Sequence, residues 1–386
     1  MRVRVATLNV WGLPEPFSKR LSGRLKAIGE RLASLEVDVV AFQEVWTTGA
    51  QRRLRRAGRR AGLTHSWSTR SSINGSGLLV ISRLPIESHR FDRYSLRGYP
   101  ERVDHGDYYG GKGFVQLRLQ TDEGPISIFN THLHARHSGD IAHAYLGHRA
   151  GQIVELGIAS LETRDPIITM GDFNFRDNQP EYTVFTGLTG MRDAAAELDR
   201  RRATIWADNA YRAATRKGRR IDYVFTRDGA ARGVIPIKTE RVFDEPLHLS
   251  GQPASYSDHG GVLAELEISD RPRPVAGPLR EAIALASEML SNGRADAEAR
   301  QRGRRTWAGL GLGTAALATI GIRNLDVNRR RLLRLSLHGV AVAALAPSIG
   351  LSVLSEVFAP DEIRAFDAIS ARLARMKPDI LSETLA

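Results

Sequence analysis

Cysteine is absent from this 386-residue sequence, and lysine is scarce. The lack of thiols excludes disulfide frameworks, thiolate metal sites and a cysteine nucleophile. Any chemistry must therefore come from histidine, carboxylate, hydroxyl or amide side chains. Only six of the 55 basic residues are lysine, so arginine carries the net charge of +12. A charge of this size favours acidic partners such as phosphates, nucleic acid or anionic lipid, but compositional bias explains it equally well.

The overall composition is that of a folded protein. Hydrophobic residues make up 42% and charged residues 25% of the chain, close to globular averages. The length exceeds one ordinary core, which predicts a large domain with an appendage, or two domains. No apolar stretch typical of a secretory signal precedes the first alternating segment, Arg2 to Val5, so we expect a cytoplasmic location.

The first 268 residues predict an α/β domain. Short β-branched or apolar runs alternate there with helical stretches, a pattern typical of packed sheets and helices. Residues 269–280 are rich in proline and lack periodicity, which predicts a linker. Strands are predicted at Val37–Phe42, Gly77–Ile81, Phe114–Leu119, Ile126–Asn130, Pro166–Met170, Ile221–Phe225 and Gly261–Ile268.

Residues 281–386 predict a helical C-terminal region. After a short amphipathic helix over Leu279 to Arg300, two uncharged runs of 17 and 21 residues, 306–322 and 335–355, are flanked by arginines. Their lengths are close to the ~20 residues that span a bilayer. Gly309 and Gly313 have the spacing used in close helix contacts. We therefore predict a membrane-associated helical hairpin; the alternative is a soluble hairpin packed on the first domain.

The densest run of charge follows Trp46 on a predicted short helix. A run of this kind is usually a solvated face, and contact with anionic lipid or nucleic acid is the alternative. The residues are Arg52, Arg53, Arg55, Arg56, Arg59 and Arg60.

Polar side chains stand at or near the ends of the predicted strands, where rigid strands position binding and catalytic groups. They offer carboxylate and amide oxygens and imidazoles, a set that suits a hard cation such as Mg²⁺ with water and substrate phosphate as further ligands. The pattern predicts a metal-assisted phosphoryl site. The oxygen donors are Asn9, Glu44, Asp172, Asn174, Asp222 and Asp258, and the imidazoles are His132 and His259.

Six ordered segments, covering residues 1 to about 268, resemble the endonuclease/exonuclease/phosphatase superfamily. The resemblance implies a two-sheet, four-layer α/β sandwich, here with a C-terminal hydrophobic helical hairpin, and metal-dependent phosphoester hydrolysis at one edge. The segments are Thr7-Leu-Asn-Val-Trp-Gly, Phe42-Gln-Glu-Val-Trp, Asn130-Thr-His-Leu-His, Gly171-Asp-Phe-Asn, Ile221-Asp-Tyr-Val-Phe and Ser257-Asp-His-Gly.

Within that superfamily the chain resembles the neutral sphingomyelinases. Asp107 to Lys112 is similar to their substrate-gating loop, in which an aspartate and a lysine face the site. The resemblance implies hydrolysis of sphingomyelin, or a related phosphosphingolipid, to ceramide and a phosphorylated head group. A nuclease, another phosphoesterase of the superfamily, or an inactive binding protein on the same fold are the alternatives. Further segments of likeness are Asn9-Val-Trp-Gly-Leu-Pro, Asn74-Gly-Ser-Gly-Leu, Thr131-His-Leu-His-Ala and Ala142-His-Ala-Tyr-Leu-Gly-His-Arg.

The chemistry of the residue types and the resemblance together imply individual roles. Glu44 is expected to be the principal Mg²⁺ ligand, with Asn9 beside it and Asp258 in support; Mn²⁺ or Co²⁺ are expected substitutes. His259 is expected to be the general base, oriented by Asp222. A membrane lipid is the expected partner, with anionic lipid as a further candidate; nucleic acid is not expected, and no protein partner is inferred. The supporting catalytic residues are His132, Asp172, Asn174 and Lys112, the last paired with Asp107.

Overall fold

The computed structural model describes residues 1–69, 75–137, 145–212, 218–274, 279–325 and 331–376. Asn74 and the segment 142–144, which belong to two of the similar motifs, lie outside these ranges. Each of the seven predicted strands overlaps a strand of the structure, and the fold is the predicted two-sheet sandwich.

Two six-stranded sheets form the centre of the molecule. Both are mixed, because β1 and β2 pair in parallel in one sheet and β7 and β8 do so in the other. In spatial order, the first sheet contains β11 (Gly233–Val242), β14 (Gly261–Ser269), β1 (Arg2–Asn9), β2 (Val39–Gln43), β4 (Leu79–Ser82) and β3 (His65–Ser68). The second contains β5 (Ile86–Arg93), β6 (Gly113–Leu119), β7 (Ile126–His132), β8 (Ile167–Asp172), β10 (Asp222–Arg227) and β9 (Arg192–Asp193). A small hairpin pairs β12 (Leu247–Leu249) with β13 (Gln252–Ala254).

Helices cover the outer faces of the two sheets. Those on the first sheet are α1 (Leu21–Leu35) and α2 (Thr48–Arg60). Those associated with the second are α3 (Leu146–Leu161), α4 (Pro180–Thr189) and the one-turn α5 (Ala194–Glu197). A 3₁₀ turn spans Val103–His105. The C-terminal region contains α6 (Leu279–Arg323), α7 (Arg331–Val353), a π-helical turn at Leu354–Phe358 and α8 (Ala359–Ala374).

Alternation of side chains along the strands builds the four layers. Leu8 on β1 faces α1, whereas Val3 and Val5 on the same strand pack between the sheets. Successive side chains of a strand point to opposite faces, so an unbroken apolar strand supplies two cores at once. Two amide side chains link the sheets. Gln43 at the end of β2 in the first sheet donates its Nε2 to Oδ1 of Asn130 on β7 in the second, over 2.7 Å. The two sheets are therefore linked by a buried hydrogen bond near the strand ends that carry Glu44 and His132.

The inner part of the C-terminal region packs on the second sheet's helices. Leu290 of α6 and Phe366 of α8 belong to the same buried cluster as Phe129 and Phe173 of the sandwich. The backbones of α3 and α6 approach closely at Gly147 and Gly293. A Cβ on Gly147 would lie only 2.7 Å from Gly293 Cα, so neither position has room for a larger residue without a shift of the helices. The inner part therefore shares its core with the sandwich, and the soluble-hairpin alternative, which concerned runs 306–322 and 335–355, does not apply to it.

The outer part of the region is an exposed antiparallel hairpin of α6 and α7. The predicted short helix over Leu279 to Arg300 is instead continuous with the first apolar run, since no proline interrupts α6. Within the described residues nothing lies within 4 Å of a Cβ on Gly309 or Gly313, so their spacing is not used for a close contact there, and Gly311 meets Ser348 instead. Of the described residues, one stretch, Arg331–Ala374, is long and apolar enough to cross a membrane by length and composition. The first apolar run, residues 306–322 in the outer part of α6, is not apolar enough to meet the same criterion.

Candidate active site

His259 and Asp222 form the centre of the predicted site. Asp222 begins β10, and His259 lies in the turn before β14. His259 Nδ1 donates to Asp222 Oδ2 over 3.0 Å, which leaves Nε2 facing Asp172 Oδ2 at 4.0 Å. Burial opposes the charged imidazole, but Asp222, Asp258 and Asp172 together raise the pKa of His259 to about 10. The pair is therefore an oriented imidazole in a strongly negative surrounding.

Asp172 ends β8 directly opposite Asp222 on the neighbouring antiparallel strand. Burial and the Asp222 carboxylate raise the pKa of Asp172 to about 7. Asn174, in the left-handed conformation at φ 53°, donates its backbone N–H to Asp172 Oδ1 over 3.0 Å. Its side-chain Nδ2 donates to Leu133 O over 3.0 Å. Adjacent strand ends thus bring two buried carboxylates and one amide together.

Glu44 and Asn9 close the site from the first sheet. Asn9 Nδ2 donates to Glu44 Oε1 and to Asp172 Oδ2, each over 3.0 Å, and Asn9 Oδ1 accepts from Trp11 N. Glu44 follows β2 in the left-handed conformation at φ 60°, where a non-glycine residue is uncommon and functional sites are over-represented. Gly12 permits this approach, because a Cβ there would lie 2.1 Å from Glu44 O.

Asp258 lies beside this cluster but already has a cationic partner. Its Oδ2 accepts from Arg212 Nη2 over 2.6 Å. Burial and the nearby Asp258 raise the pKa of Glu44. In this arrangement Asn9 offers a donor nitrogen to the carboxylates and Asp258 pairs with Arg212, so their roles as metal ligands stay predictions.

Lys112 and Asp107 form a buried ion pair at the other side of the site. Lys112 Nζ also donates to His132 Nε2 over 3.0 Å and to Leu133 O over 2.8 Å. Burial and Lys112 lower the pKa of His132 well below its usual range. Because an ammonium can only donate, the neutral His132 carries its proton on Nδ1, which is buried and has no hydrogen-bond partner among the described residues.

Sequence reasoning missed two residues that hold the site loops. Arg24 of α1 is fully buried and donates to Val10 O over 2.7 Å and Trp11 O over 2.8 Å. The hydroxyl of Ser257 donates to Asn9 O over 2.6 Å. Ser257 stands inside a conspicuous motif and could have been found, whereas Arg24 is an isolated arginine in a helical pattern and gives no local signal.

The donor set fits a hard divalent cation. Glu44, Asp172, Asp222 and Asp258 are carboxylates drawn together, and burial, with the neighbouring Asp258 and Asp222, raises the pKa of Glu44 and of Asp172 respectively. Donor atoms of Asp172, Asp222 and His259 lie within 4.8 Å of one another. Oxygen donors without sulfur are the ligands that Mg²⁺ prefers. The residues present therefore fit the predicted metal.

A family model described as the endonuclease/exonuclease/phosphatase family matches residues 6–259, which include every one of these site residues. The chain belongs to this family. Within the family it falls in the neutral sphingomyelinase branch, as the sequence motifs predicted.

Two curated relatives carry sphingolipid names. A putative neutral sphingomyelinase of Drosophila melanogaster is 32% identical over 276 residues, 69% of this chain and 61% of that protein. An inositol phosphosphingolipids phospholipase C of Schizosaccharomyces pombe is 37% identical over 196 residues, 50% of this chain and 46% of that protein. The chain thus spans less than two-thirds of the length of these relatives.

Two solved structures share the fold. A mutant of beta toxin from Staphylococcus aureus with bound magnesium ions is 17% identical with a TM-score of 0.55, covering 68% of this chain and 99% of that one. D. rerio TDP2 complexed with a single-strand DNA product is 18% identical with a TM-score of 0.53, covering 69% and 99%. At this identity the likeness concerns the sandwich alone.

Proposed function

We propose that the protein is a Mg²⁺-dependent phosphodiesterase that hydrolyses sphingomyelin, or a related phosphosphingolipid, to ceramide and a phosphorylated head group. The observation that carries the proposal is the His259–Asp222 pair beside Asp172, with Glu44 held next to them through Asn9. The sphingolipid substrates named for the two relatives support the choice of lipid.

His259 is proposed as the general base. Asp222 occupies Nδ1 and fixes the tautomer, so Nε2 accepts the proton of the attacking water. Glu44 would hold the cation, with Asn9 and Asp258 in support. When bound, Mg²⁺ would offset charge on the phosphoryl oxygens and lower the proton affinity of neighbouring groups, including His259.

Lys112, His132 and Asn174 are proposed to bind the phosphoryl oxygens. Lys112 is a point charge whose three N–H groups are taken by Asp107, His132 Nε2 and Leu133 O, so it would attract a non-bridging oxygen electrostatically or exchange one of these partners for it. His132 lies with Nε2 3.5 Å from Asp172 Oδ2, and Asn174 lies on the adjoining loop. Donors placed before reaction begins stabilise charge that grows in the transition state.

The exposed hairpin is proposed to hold the enzyme on its substrate membrane. Large apolar side chains on α6 and α7 face outward, among them Trp307, Leu317 and Leu332, which are 68%, 72% and 81% exposed. An exposed apolar surface of this kind marks an interaction site. A nuclease would need the same catalytic residues but not this hairpin, so the lipid substrate is favoured. The cytoplasmic side for the catalytic domain stays a prediction, because arginines flank both ends of the hairpin.

The test is phosphocholine release from sphingomyelin in mixed micelles with Mg²⁺. His259→Ala and Glu44→Ala should each abolish turnover, while His248→Ala and Glu281→Ala, at exposed positions outside the site, should retain it. Folding of all four variants is checked by thermal unfolding. Retained turnover in both His259→Ala and Glu44→Ala would contradict the assignment of these residues to the catalytic site. Inositol phosphosphingolipid and plasmid DNA are assayed in parallel, and cleavage of DNA without lipid turnover would overturn the proposed substrate.

A further inference from the structure

The outward face of α2 is a concentrated and unpaired positive surface. The helix carries six arginines and no acidic residue, and within the ranges that the structure describes none of the six forms an ion pair. Arg53 donates to Ser22 and Arg55 to Ser68, while the remaining four are exposed without a side-chain partner there. Burial and the neighbouring Arg59 lower the pKa of Arg55, as expected where like charges crowd. The six residues are Arg52, Arg53, Arg55, Arg56, Arg59 and Arg60.

The opposite face of α2 explains why the arginines point outward. Leu54 is fully buried, and Gly58 packs so closely on β4 that a Cβ would lie 2.7 Å from Ile81 Cγ2. Small and apolar residues thus fix the rotation of the helix about its axis. Arg53 and Arg55 make hydrogen bonds to neighbouring elements, whereas the other four arginines make none within the described residues, and the mutual repulsion of the six opposes folding.

The direction of α2 divides the arginines into two groups. The helix begins at Thr48, four residues after Glu44, and therefore starts at the active-site edge of the sheet. It ends near His65, which pairs with Ser82 at the opposite edge. With a rise of about 1.5 Å per residue, Arg59 and Arg60 lie roughly 10 Å farther from the site than Arg52 and Arg53.

The beginning of α2 lies on the same side of the molecule as the base of the hairpin. Trp46, just before the helix, packs against Gly110 of the loop that carries Lys112. On that loop the Tyr108 ring meets the Phe358 ring edge-on, 6.0 Å between centroids, at the base of the hairpin. A continuous series of contacts therefore joins the first turns of α2, the active-site loop and the apolar hairpin.

We propose that Arg52, Arg53, Arg55 and Arg56 form a docking surface for the phosphate groups of anionic phospholipids. This inference rests on the proposed function, because the bilayer that receives the hairpin supplies the anionic surface. A bilayer fits better than nucleic acid because the adjoining apolar hairpin would enter the hydrocarbon and has no counterpart on a nucleic acid. An apolar anchor and a basic patch are the two signals that stable membrane attachment needs.

The experiment compares two charge-matched variants of the full chain. Arg52→Gln with Arg56→Gln removes two site-proximal charges, and Arg59→Gln with Arg60→Gln removes two distal charges from the same helix. Binding is measured to phosphatidylcholine vesicles free of sphingomyelin, with and without phosphatidylserine. At about tenfold per 1.4 kcal/mol and roughly 1 kcal/mol per arginine near the surface, the proximal variant should bind anionic vesicles ~30-fold more weakly. The distal variant should lose less than about threefold, and high salt should remove the difference.

Several outcomes would overturn the docking surface. One is that phosphatidylserine does not strengthen the binding of the unmodified protein to vesicles. Another is that the proximal and distal variants lose the same amount of affinity for anionic vesicles. A third is a loss of duplex DNA binding in the proximal variant while vesicle binding is unchanged, which would assign the surface to nucleic acid. Because these vesicles contain no sphingomyelin, failure of the proposed function is distinguishable: the parent would then bind anionic vesicles in the expected manner but hydrolyse no sphingomyelin in micelles.

Discussion

The amide nitrogen of Asn9 lies 3.0 Å from Oδ2 of Asp172, and this contact joins β1 of one sheet to β8 of the other. The same nitrogen donates to Glu44. One neutral donor therefore spaces two carboxylates that would otherwise repel each other. The candidate site is built across the gap between the sheets, and its geometry depends on how closely the sheets pack.

Asn9→Ala should lower kcat/KM for sphingomyelin by at least about 100-fold. The change removes two hydrogen bonds to charged groups, each worth about 1.5–3 kcal/mol, and a loss of about 1.4 kcal/mol costs tenfold in rate. We also expect half-maximal activity to need more Mg²⁺. Gln43→Ala is the matched control, because it removes the buried amide link to Asn130 but touches no site carboxylate; it should lower stability without changing the Mg²⁺ requirement. An unchanged Mg²⁺ titration for Asn9→Ala would contradict this role.

Arg24→Lys should destabilise the protein by about 2–4 kcal/mol. The Arg24 guanidinium donates to backbone carbonyls of Val10, Trp11 and Tyr256, and one ammonium cannot reproduce this spread of donors. Urea unfolding measures the effect. Arg31→Lys on the same helix is the control, since Arg31 makes a partly exposed pair with Glu245 and should cost less than about 1 kcal/mol. Equal effects of the two changes would refute a special role for Arg24.

Gly293→Ala should destabilise the chain, whereas Gly303→Ala on the same helix should stabilise it. A Cβ on Gly293 would lie 2.8 Å from the Phe366 ring and 2.9 Å from Gly147 Cα, and such overpacking costs about 1–3 kcal/mol. Nothing lies within 4 Å of a Cβ on Gly303, so only the gain in helix propensity, up to about 1 kcal/mol, remains. Thermal unfolding distinguishes the two. Stabilisation by both substitutions would show that α6 does not pack on α3.

Stability should fall as the pH is lowered from about 6.5 toward 3, in part because of His134. Burial lowers the pKa of His134 to about 3 in the folded protein. Between pH 3 and 6.5 the unfolded chain binds a proton at this histidine and the folded chain does not. The free energy of unfolding therefore has its full contribution from His134 above about pH 6.5 and loses it progressively as the pH falls toward 3. The slope is about 1.4 kcal/mol per pH unit.

Urea unfolding in the presence of a chelator, at several pH values, measures this slope. His134→Gln should flatten it, and His248→Gln, at an exposed position on β12, should leave it unchanged. A slope that is the same in the parent and in His134→Gln would contradict the assignment.

Most of the strands that carry the site could be predicted from sequence, and the edge strands could not. The strand Ile126–His132 is buried on both faces, and Ile126, Ile128 and Phe129 give it the apolar run that predicts a strand. Strand β5 is an edge strand with the charged sequence Ile86 to Arg93, largely exposed, and therefore lacks the apolar pattern. Strand β11, at the edge of the other sheet, contains Pro236 at an irregularity in its pairing.

The sequence by itself determined the kinds of chemical group available and the family to which the chain belongs. Asn9, Glu44, Asp172 and Asp222 stand at strand ends that short-range periodicity already marks, and short motifs around them are read without knowledge of distant contacts. The arginine run on α2 was equally visible, although its function was not.

Tertiary structure alone decided how those groups are paired. Only the folded chain shows Asn9 donating to two carboxylates, Asp258 held by Arg212, and Arg24 joining loops more than 200 residues apart in sequence. It also decided that the inner half of α6 packs on α3 while the outer half is exposed. Hydrogen bonds and packing between distant segments depend on which parts of the chain come together in the folded protein. Local sequence patterns do not contain that information.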